Sequence, residues 1–355
     1  MKTIMVAPLN WGLGHATRCI PLIQALKTHG FKILIASDGP ALHLLQKEFP
    51  DIESLELPAY RIKYPSKGIL FKWSIFFKLP HFYKTMRAEE RVIARLIQER
   101  RIDGIISDGR FGARASTIPS IYITHQLNVL TGNTSWISSK MHQKIIKKFH
   151  ECWVPDVNHN TLNHSGRLGH LNKPSFPIKY FGIVSRMKKN PQPIDIDILV
   201  LISGPEPQRA YLESILKKSL KKSQKTIVMV RGVVEKEQVW EEKKNIRMVN
   251  FMKTEELEHA INSSEIIISR PGYSTVMDLS MMEKKVFFIP TPGQFEQEYL
   301  AKRLKHLGIA PYCEQSKFRL DKLNEVSVYH GLKPYLNPHD SFGDLFSLFQ
   351  GKRKF

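Results

Sequence analysis

Glu265-Ile-Ile-Ile-Ser269, followed by Arg270-Pro-Gly-Tyr-Ser-Thr-Val-Met-Asp-Leu279, decides the fold. The first five residues hold a short apolar run without polar alternation, the pattern of a strand covered on both faces. Pro271 and Gly272 turn the chain, and Ser274 stands where a helix cap is expected. Strand, tight turn and helix form the repeating unit of a parallel α/β sheet. The same pattern surrounds it. Strands are expected at 196–202, 226–230, 246–251 and 286–289, with helices at 208–223, 254–263, 274–282 and 294–306.

The first half reads the same way. Strands are expected at 3–8, 31–36, 103–107 and 120–124, and helices at 20–29, 39–49 and 113–117. The sequence therefore predicts an α/β protein of two Rossmann-like domains, with the carboxyl ends of both parallel sheets facing a central cleft. Residues 1–160 form the first domain in this reading and 194–337 the second. Residues 161–193 supply a bridging strand and linker, and 338–355 a terminal helix packing back on the first domain.

Composition agrees. A chain of 355 residues is long for one α/β core, and 42% hydrophobic with 24% charged residues is a folded balance. Cys19, Cys152 and Cys313 are far apart and show no metal-ligand spacing, which suggests reduced thiols in a cytoplasmic protein. Neither a secretory signal nor a membrane-spanning run is evident.

The formal net charge of +20 attracts phosphate, on nucleic acid, anionic lipid or a nucleotide. No zinc-finger spacing, aromatic RNA-binding pattern or recognition helix accompanies it, so no specific nucleic-acid partner is expected. Residues 60–84 interleave aromatic side chains with Lys and Arg. They suit either an anionic headgroup layer or an inward-packed helix pair.

Three segments carry candidate chemistry, each where a strand hands over to a helix. In Pro8-Leu-Asn-Trp-Gly-Leu-Gly-His-Ala-Thr-Arg18, Gly12 and Gly14 permit a tight turn. His15 then opens a helix, where a neutral imidazole can take a proton from a hydroxyl. A structural turn with a surface histidine explains the stretch about as well. In the segment beginning at Ser269, the amides of Tyr273, Ser274 and Thr275 after Gly272 can hold a diphosphate. Arg270 adds charge, and Asp278 one turn later can reach ribose hydroxyls. In Pro290-Thr-Pro-Gly-Gln-Phe-Glu-Gln-Glu-Tyr-Leu-Ala301, Glu296 and Gln297 can bind hexose hydroxyls, although an ordinary solvated first turn reads the same way. Arg231, after the strand at 226–230, points to the same cleft.

A nucleotide sugar needs charge stabilisation at its leaving diphosphate. The only Asp-x-Asp triplet, Asp195-Ile-Asp197, leads directly into a strand and reads as a strand start. No metal or cofactor is expected, the donor being a substrate. Candidate bases are His15 first, His125 second and Asp108 third. Asp108 also suits an Asx turn.

Together these segments resemble the GT-B glycosyltransferases of family 28, which includes the lipid II-forming N-acetylglucosaminyltransferases of peptidoglycan synthesis. The resemblance implies an acceptor-side loop at Gly12, Gly14 and His15. His125-Gln-Leu-Asn128 is similar to the family's His-Glu-Gln-Asn, and Asp278 stands for its ribose-binding glutamate. Phe251 and Met252 look like its uracil-contacting backbone. Ser203 and Gly204 are what remains of its glycine-rich phosphate loop, here Ile202-Ser-Gly-Pro-Glu-Pro-Gln208. The resemblance implies transfer of a hexose or N-acetylhexosamine from a UDP-sugar, with inversion, to a lipid-linked or other glycan. It also implies cell-envelope work at the inner face of the cytoplasmic membrane. Two rival readings are a non-hydrolysing nucleotide-sugar epimerase and a non-catalytic basic nucleic-acid-binding protein.

Overall fold

A computed structural model describes residues 1–61, 71–204, 206–233, 235–335 and 342–351, with the backbone alone for 71–79. It divides into two compact units. One is formed by described residues of Met1–Ile62, Lys72–Val184 and Tyr335–Phe355, the other by those of Lys63–Phe71 and Ser185–Pro334.

In the first unit, β1 (Thr3–Pro8), β2 (Lys32–Ser37), β3 (Ser54–Glu56), β4 (Gly104–Asp108), β5 (Ser120–Ile123), β6 (Glu151–Val154) and β7 (Ile178–Tyr180) form one sheet. Its order is β3-β2-β1-β4-β5-β6-β7, and every pair is parallel. Successive side chains leave a strand on opposite faces. Ile4, Val6, Ile33, Ile35 and Ile106 accordingly enter one core, and Met5, Ala7, Leu34, Ala36 and Ile105 another. That two-sided burial is why these strands read as apolar runs without alternation. Helices α1 (Gly14–Thr28), α2 (Gly39–Glu48), α3 (Phe71–Gln98) and α4 (Ser135–Ile146) complete the unit.

The strand expected within 161–193 is β7, the seventh strand of this sheet, so the first unit runs on to Val184. The terminal helix α9 (Phe342–Phe346) belongs to the same unit. Phe346 and Phe349, both buried, meet Phe31 edge-on at 5.9 and 6.3 Å. The helix expected at 113–117 does not form. The Ser120 hydroxyl accepts from the Ala115 amide at 3.0 Å and donates to the Ala115 carbonyl at 2.9 Å, supplying local bonds that compete with a helix.

In the second unit, β8 (Ile196–Leu201), β9 (Ile227–Val230), β10 (Trp240–Lys243), β11 (Ile246–Val249), β12 (Ser264–Ser269) and β13 (Lys285–Phe288) are ordered β10-β11-β9-β8-β12-β13. Only β10, the partner of β11, is antiparallel. Helices α5 (Gln208–Leu220), α6 (Thr254–Asn262), α7 (Tyr273–Met281) and α8 (Phe295–His306) follow β8, β11, β12 and β13. Leu199, Val228 and Ile267 enter one core while Ile198, Ile227 and Ile268 enter another, so this sheet too is covered on both faces.

Each sheet reverses its winding once. The chain leaves β1 for β2 and β3, then returns on the other side of β1 as β4. In the second unit it leaves β8 for β9 and β11 and returns beside β8 as β12. At such switch points the loops at the carboxyl edge part and leave a crevice for ligands.

Candidate active site

At the first switch point the ends of β1, β4 and β5 bring together the three candidate bases. His15 Nδ1 lies 2.7 Å from Asp108 Oδ1. Arg18, one helical turn after His15, forks onto the same carboxylate, Nε to Oδ2 at 2.8 Å and NH2 to Oδ1 at 2.5 Å. Its NH1 stands 3.3 Å from His125 Nδ1. The buried Cys19 thiol lies 3.8 Å from Asp108 Oδ2.

Asp108 is fully buried, which alone favours its neutral form. Arg18 and His15 outweigh that and hold it well below the ordinary carboxylate range. Asp108 therefore works as a fixed anion beneath His15, and its carboxylate serves these two side chains in place of the Asx turn. With a carboxylate at 2.7 Å, His15 Nδ1 must carry the proton, which leaves the lone pair on Nε2. Gly109, at φ 83°, seats this pair: a Cβ there would stand 3.1 Å from His15 Cε1.

Arg18 was not singled out in the sequence, although it closes the quoted stretch. Three-residue spacing puts it on the face of α1 that carries His15, which is the signal that finds it. A second buried cluster lies beside the first. Arg110, wholly buried, donates to Glu89 Oε1 at 2.5 Å and Asp38 Oδ1 at 2.6 Å. Glu89 also accepts from the Tyr60 hydroxyl and, at 2.9 Å, the Gly112 amide. Through Arg110 and Tyr60 the cluster fastens α3 to the loops after β2, β3 and β4.

Asn128 stands apart from the cluster. Its amide donates to the carbonyls of Arg167 at 2.6 Å and His170 at 3.2 Å, so it braces a loop. Of residues 60–84, Tyr60 is buried against Phe82 and Tyr83 is exposed. Residues 62–70 and the side chains of 71–79 lie outside the described residues. No helix among the described residues is long and apolar enough to cross a membrane.

In the second unit all the donor candidates fall at the carboxyl edge of the sheet, after β8, β9, β11, β12 and β13. Ser203 and Gly204 are exposed after β8. Gly232 packs so closely on them that a Cβ would stand 2.3 Å from the Ile202 carbonyl oxygen. Arg231 pairs with Glu213 at 3.0 Å. Phe251 and Met252 are half-buried after β11, and the Phe251 carbonyl accepts from Gln238 at 3.0 Å.

Two expectations change here. The N-cap of α7 is Gly272, so Ser274 lies within the first turn and not at the cap position. Arg270 is fully buried. It donates to the carbonyls of Ile289 at 2.9 Å and Gln208 at 3.1 Å and to Gln315 Oε1 at 2.5 Å. Burial brings it down to about 9. It staples β12 to its neighbours, its guanidinium held by protein oxygens.

Asp278, one turn into α7, is half-buried and accepts from the Ser185 hydroxyl at 2.6 Å. Burial pushes it up to about 6, against the Ser185 bond and the charge of Arg186. At the start of α8, Gln297 is buried, its Oε1 accepting from the Thr291 amide at 2.8 Å, and Glu296 is half-buried. Asp197 accepts from the Thr226 amide at 2.6 Å near the start of β8, at the opposite edge of the sheet from the donor candidates.

Two doubly wound sheets, each presenting its polar candidates at a switch point, define the GT-B class of glycosyltransferases. More particularly, residues 198–337 match the glycosyltransferase family 28 C-terminal domain. A Clostridium tetani UDP-N-acetylglucosamine–N-acetylmuramyl-(pentapeptide) pyrophosphoryl-undecaprenol N-acetylglucosamine transferase is 23% identical, over 95% of this chain and 92% of its own length. A Methanosarcina acetivorans protein described as an uncharacterized glycosyltransferase is also 23% identical, over 91% of this chain and 89% of its own. In fold the chain is similar to the spinosyn forosaminyltransferase SpnP (TM-score 0.63, 12% identity, 98% and 99% of the two chains). It is also similar to Acinetobacter baumannii MurG (TM-score 0.56, 16% identity, 99% of each). The chain is a glycosyltransferase of the GT-B fold, resembling family 28.

Proposed function

We propose that this glycosyltransferase moves a hexose or N-acetylhexosamine from a UDP-sugar to a hydroxyl of a lipid-linked or other glycan acceptor, with inversion. The observation that carries it is the His15–Asp108 pair, held at 2.7 Å at the first switch point. As the acceptor oxygen attacks the anomeric carbon, its proton passes to His15 Nε2. The anomeric carbon–oxygen bond breaks, and UDP leaves with the electron pair. Asp108 stabilises the imidazolium that forms, a contribution of about 10²–10⁴-fold for such acid–base work.

On the donor side the first turn of α7, with its amides and dipole, and Ser203–Gly204 would receive the pyrophosphate. Asp278 would receive the ribose hydroxyls, and Glu296 the sugar. The Asp-x-Asp triplet lies at the far edge of the sheet, so the donor is read as bound without a metal. The lipid-linked acceptor, and with it a place on the inner face of the cytoplasmic membrane, follow from the C. tetani relative's printed reaction and the basic charge.

Incubation with a panel of UDP-sugars and lipid-linked or soluble glycan acceptors tests the reading. Acceptor-dependent release of UDP supports it. Conversion of one UDP-sugar to another without acceptor would show an epimerase instead.

A further inference from the structure

We propose that Arg18 is a positioning residue that, together with the Asp108 carboxylate it holds, sorts His15 and His125 into opposite tautomers. The argument rests on which atoms face each other around one buried carboxylate. His15 turns Nδ1 to Asp108 Oδ1 at 2.7 Å, so Nδ1 holds the proton and Nε2 the lone pair. Arg18 NH2 is 3.1 Å from the same Nδ1, but a nitrogen whose proton points at Asp108 accepts nothing from it. That NH2 bonds Asp108 instead.

His125 meets the other prong. Its Nδ1 faces Arg18 NH1 at 3.3 Å, and a guanidinium nitrogen can only donate. Nδ1 of His125 must therefore present a lone pair, and its proton sits on Nε2. Gln126 Nε2 stands 3.4 Å from that Nε2 and, being itself a donor, does not take its proton. Arg18 itself is fixed by its two hydrogen bonds to Asp108 and is 4% exposed.

The consequence deepens the proposed function and rests on it. Two histidines that look interchangeable in the sequence take complementary parts. His15 offers a lone pair to the acceptor hydroxyl and removes its proton. His125 offers an N–H to an oxygen of the same substrate and cannot serve as the base in its resting form. One guanidinium sets the part of His125 directly and that of His15 through the Asp108 carboxylate it holds, which a lysine with a single head could not do.

The test is nitrogen-15 NMR of histidine-labelled full-length protein at neutral pH, with signals assigned through H15Q and H125Q. The expected spectrum shows protonated Nδ1 for His15 and protonated Nε2 for His125. In R18K the His125 signals move toward a mixture of tautomers. Activity gives a second readout, because glutamine can donate a hydrogen bond but cannot act as a base. H125Q should fall by about ten-fold in kcat, and H15Q by at least about 100-fold. A protonated Nδ1 on His125 in the wild-type protein overturns the proposal, and that result needs no variant to fold. An R18K spectrum identical to wild type, or H15Q more active than H125Q, overturns it as well. Should the tautomers be as expected while no UDP-sugar supports transfer, the enzymatic reading fails and the sorting by Arg18 stands.

Discussion

Replacing Asp278 with Asn should make the protein more stable at neutral pH and worse at holding a nucleotide. Burial pushes this carboxyl up from 3.8 to about 6. The folded protein thus binds its proton more tightly than the unfolded chain does. Between about pH 4 and 6 the folded state carries the extra proton, so stability falls as pH rises through that window. At pH 7 the ionised group costs about 3 kcal/mol, a ceiling because Asp278 is only half-buried. Asn keeps the shape and can still accept from Ser185, but loses its attraction to Arg186. A net gain of about 1–2 kcal/mol remains, or about 4 °C in melting temperature for a unit of this size. The carboxylate that costs stability is the one proposed to accept from the ribose hydroxyls. Losing such charge-assisted bonds weakens binding by about 1.5–3 kcal/mol, or about 10- to 100-fold in Kd. For the wild type, UDP affinity should fall by about ten-fold between pH 7.5 and 5 as Asp278 takes up its proton. Thermal melts and calorimetric UDP titration at both pH values measure each effect separately. A D278N protein that melts below wild type at pH 7.5, or binds UDP undiminished, refutes the reasoning.

Asp108→Asn should lower kcat by about 10²–10⁴-fold and, by leaving Arg18 buried without its anion, destabilise by about 3–5 kcal/mol. Because Asp108 is held below its ordinary range, its contribution is present at neutral pH and lost only as pH falls below about 4; the gap between wild-type and D108N melts should narrow only there. Gly109→Ala must place a side chain at φ 83° and push on His15, and it is expected to cost about 1–3 kcal/mol and to reduce kcat more than it raises KM for the donor. Arg270→Met should destabilise by about 2–4 kcal/mol through the carbonyls it strands, with the KM for the UDP-sugar within about three-fold of wild type in the folded fraction. A rise in that KM well beyond this would return Arg270 to the donor site.

The parallel strands were legible because both their faces are buried. Runs such as residues 266–268 and 198–202 are apolar at every step, and each ends at a Ser. The strands passed over, β3, β6 and β10, are short. In β10, Trp-Glu-Glu-Lys is exposed throughout and carries no burial signal at all. The helix expected at 113–117 failed because a serine after it in sequence bonds back to the segment, a contact no periodicity reveals. At the site, His15, Asp108 and His125 were each visible as residues following strands. Their convergence was not, because it depends on strand order: β1, β4 and β5 are neighbours in the sheet although β2 and β3 intervene in sequence. Arg270 misled for the opposite reason. A charged residue after a strand reads as a ligand contact until its burial shows the guanidinium bonded to backbone carbonyls.

The two switch points use different physics at the same place in the fold. In the first unit, side chains supply the charge, with a buried anion neutralised by a guanidinium and one imidazole. Of these only the imidazole can gain or lose a proton in place, which suits it to moving one. In the second unit, the proposed donor site would draw it from backbone, through the amides at the start of α7 and the open turn at Gly204, with one carboxylate that ionises only at a cost. Fixed dipoles neither titrate nor reorganise when a diphosphate takes on charge, so they answer a leaving group equally well across the pH range in which His15 works. Asp278 is the exception, and in the proposed donor site it would tie affinity to pH. Below about 6 such an enzyme should lose its grip on the nucleotide through Asp278, whatever the protonation of its base. A pH profile taken at saturating and at limiting UDP-sugar separates these contributions. The acid limb near 6 should appear when donor is limiting and recede when it saturates.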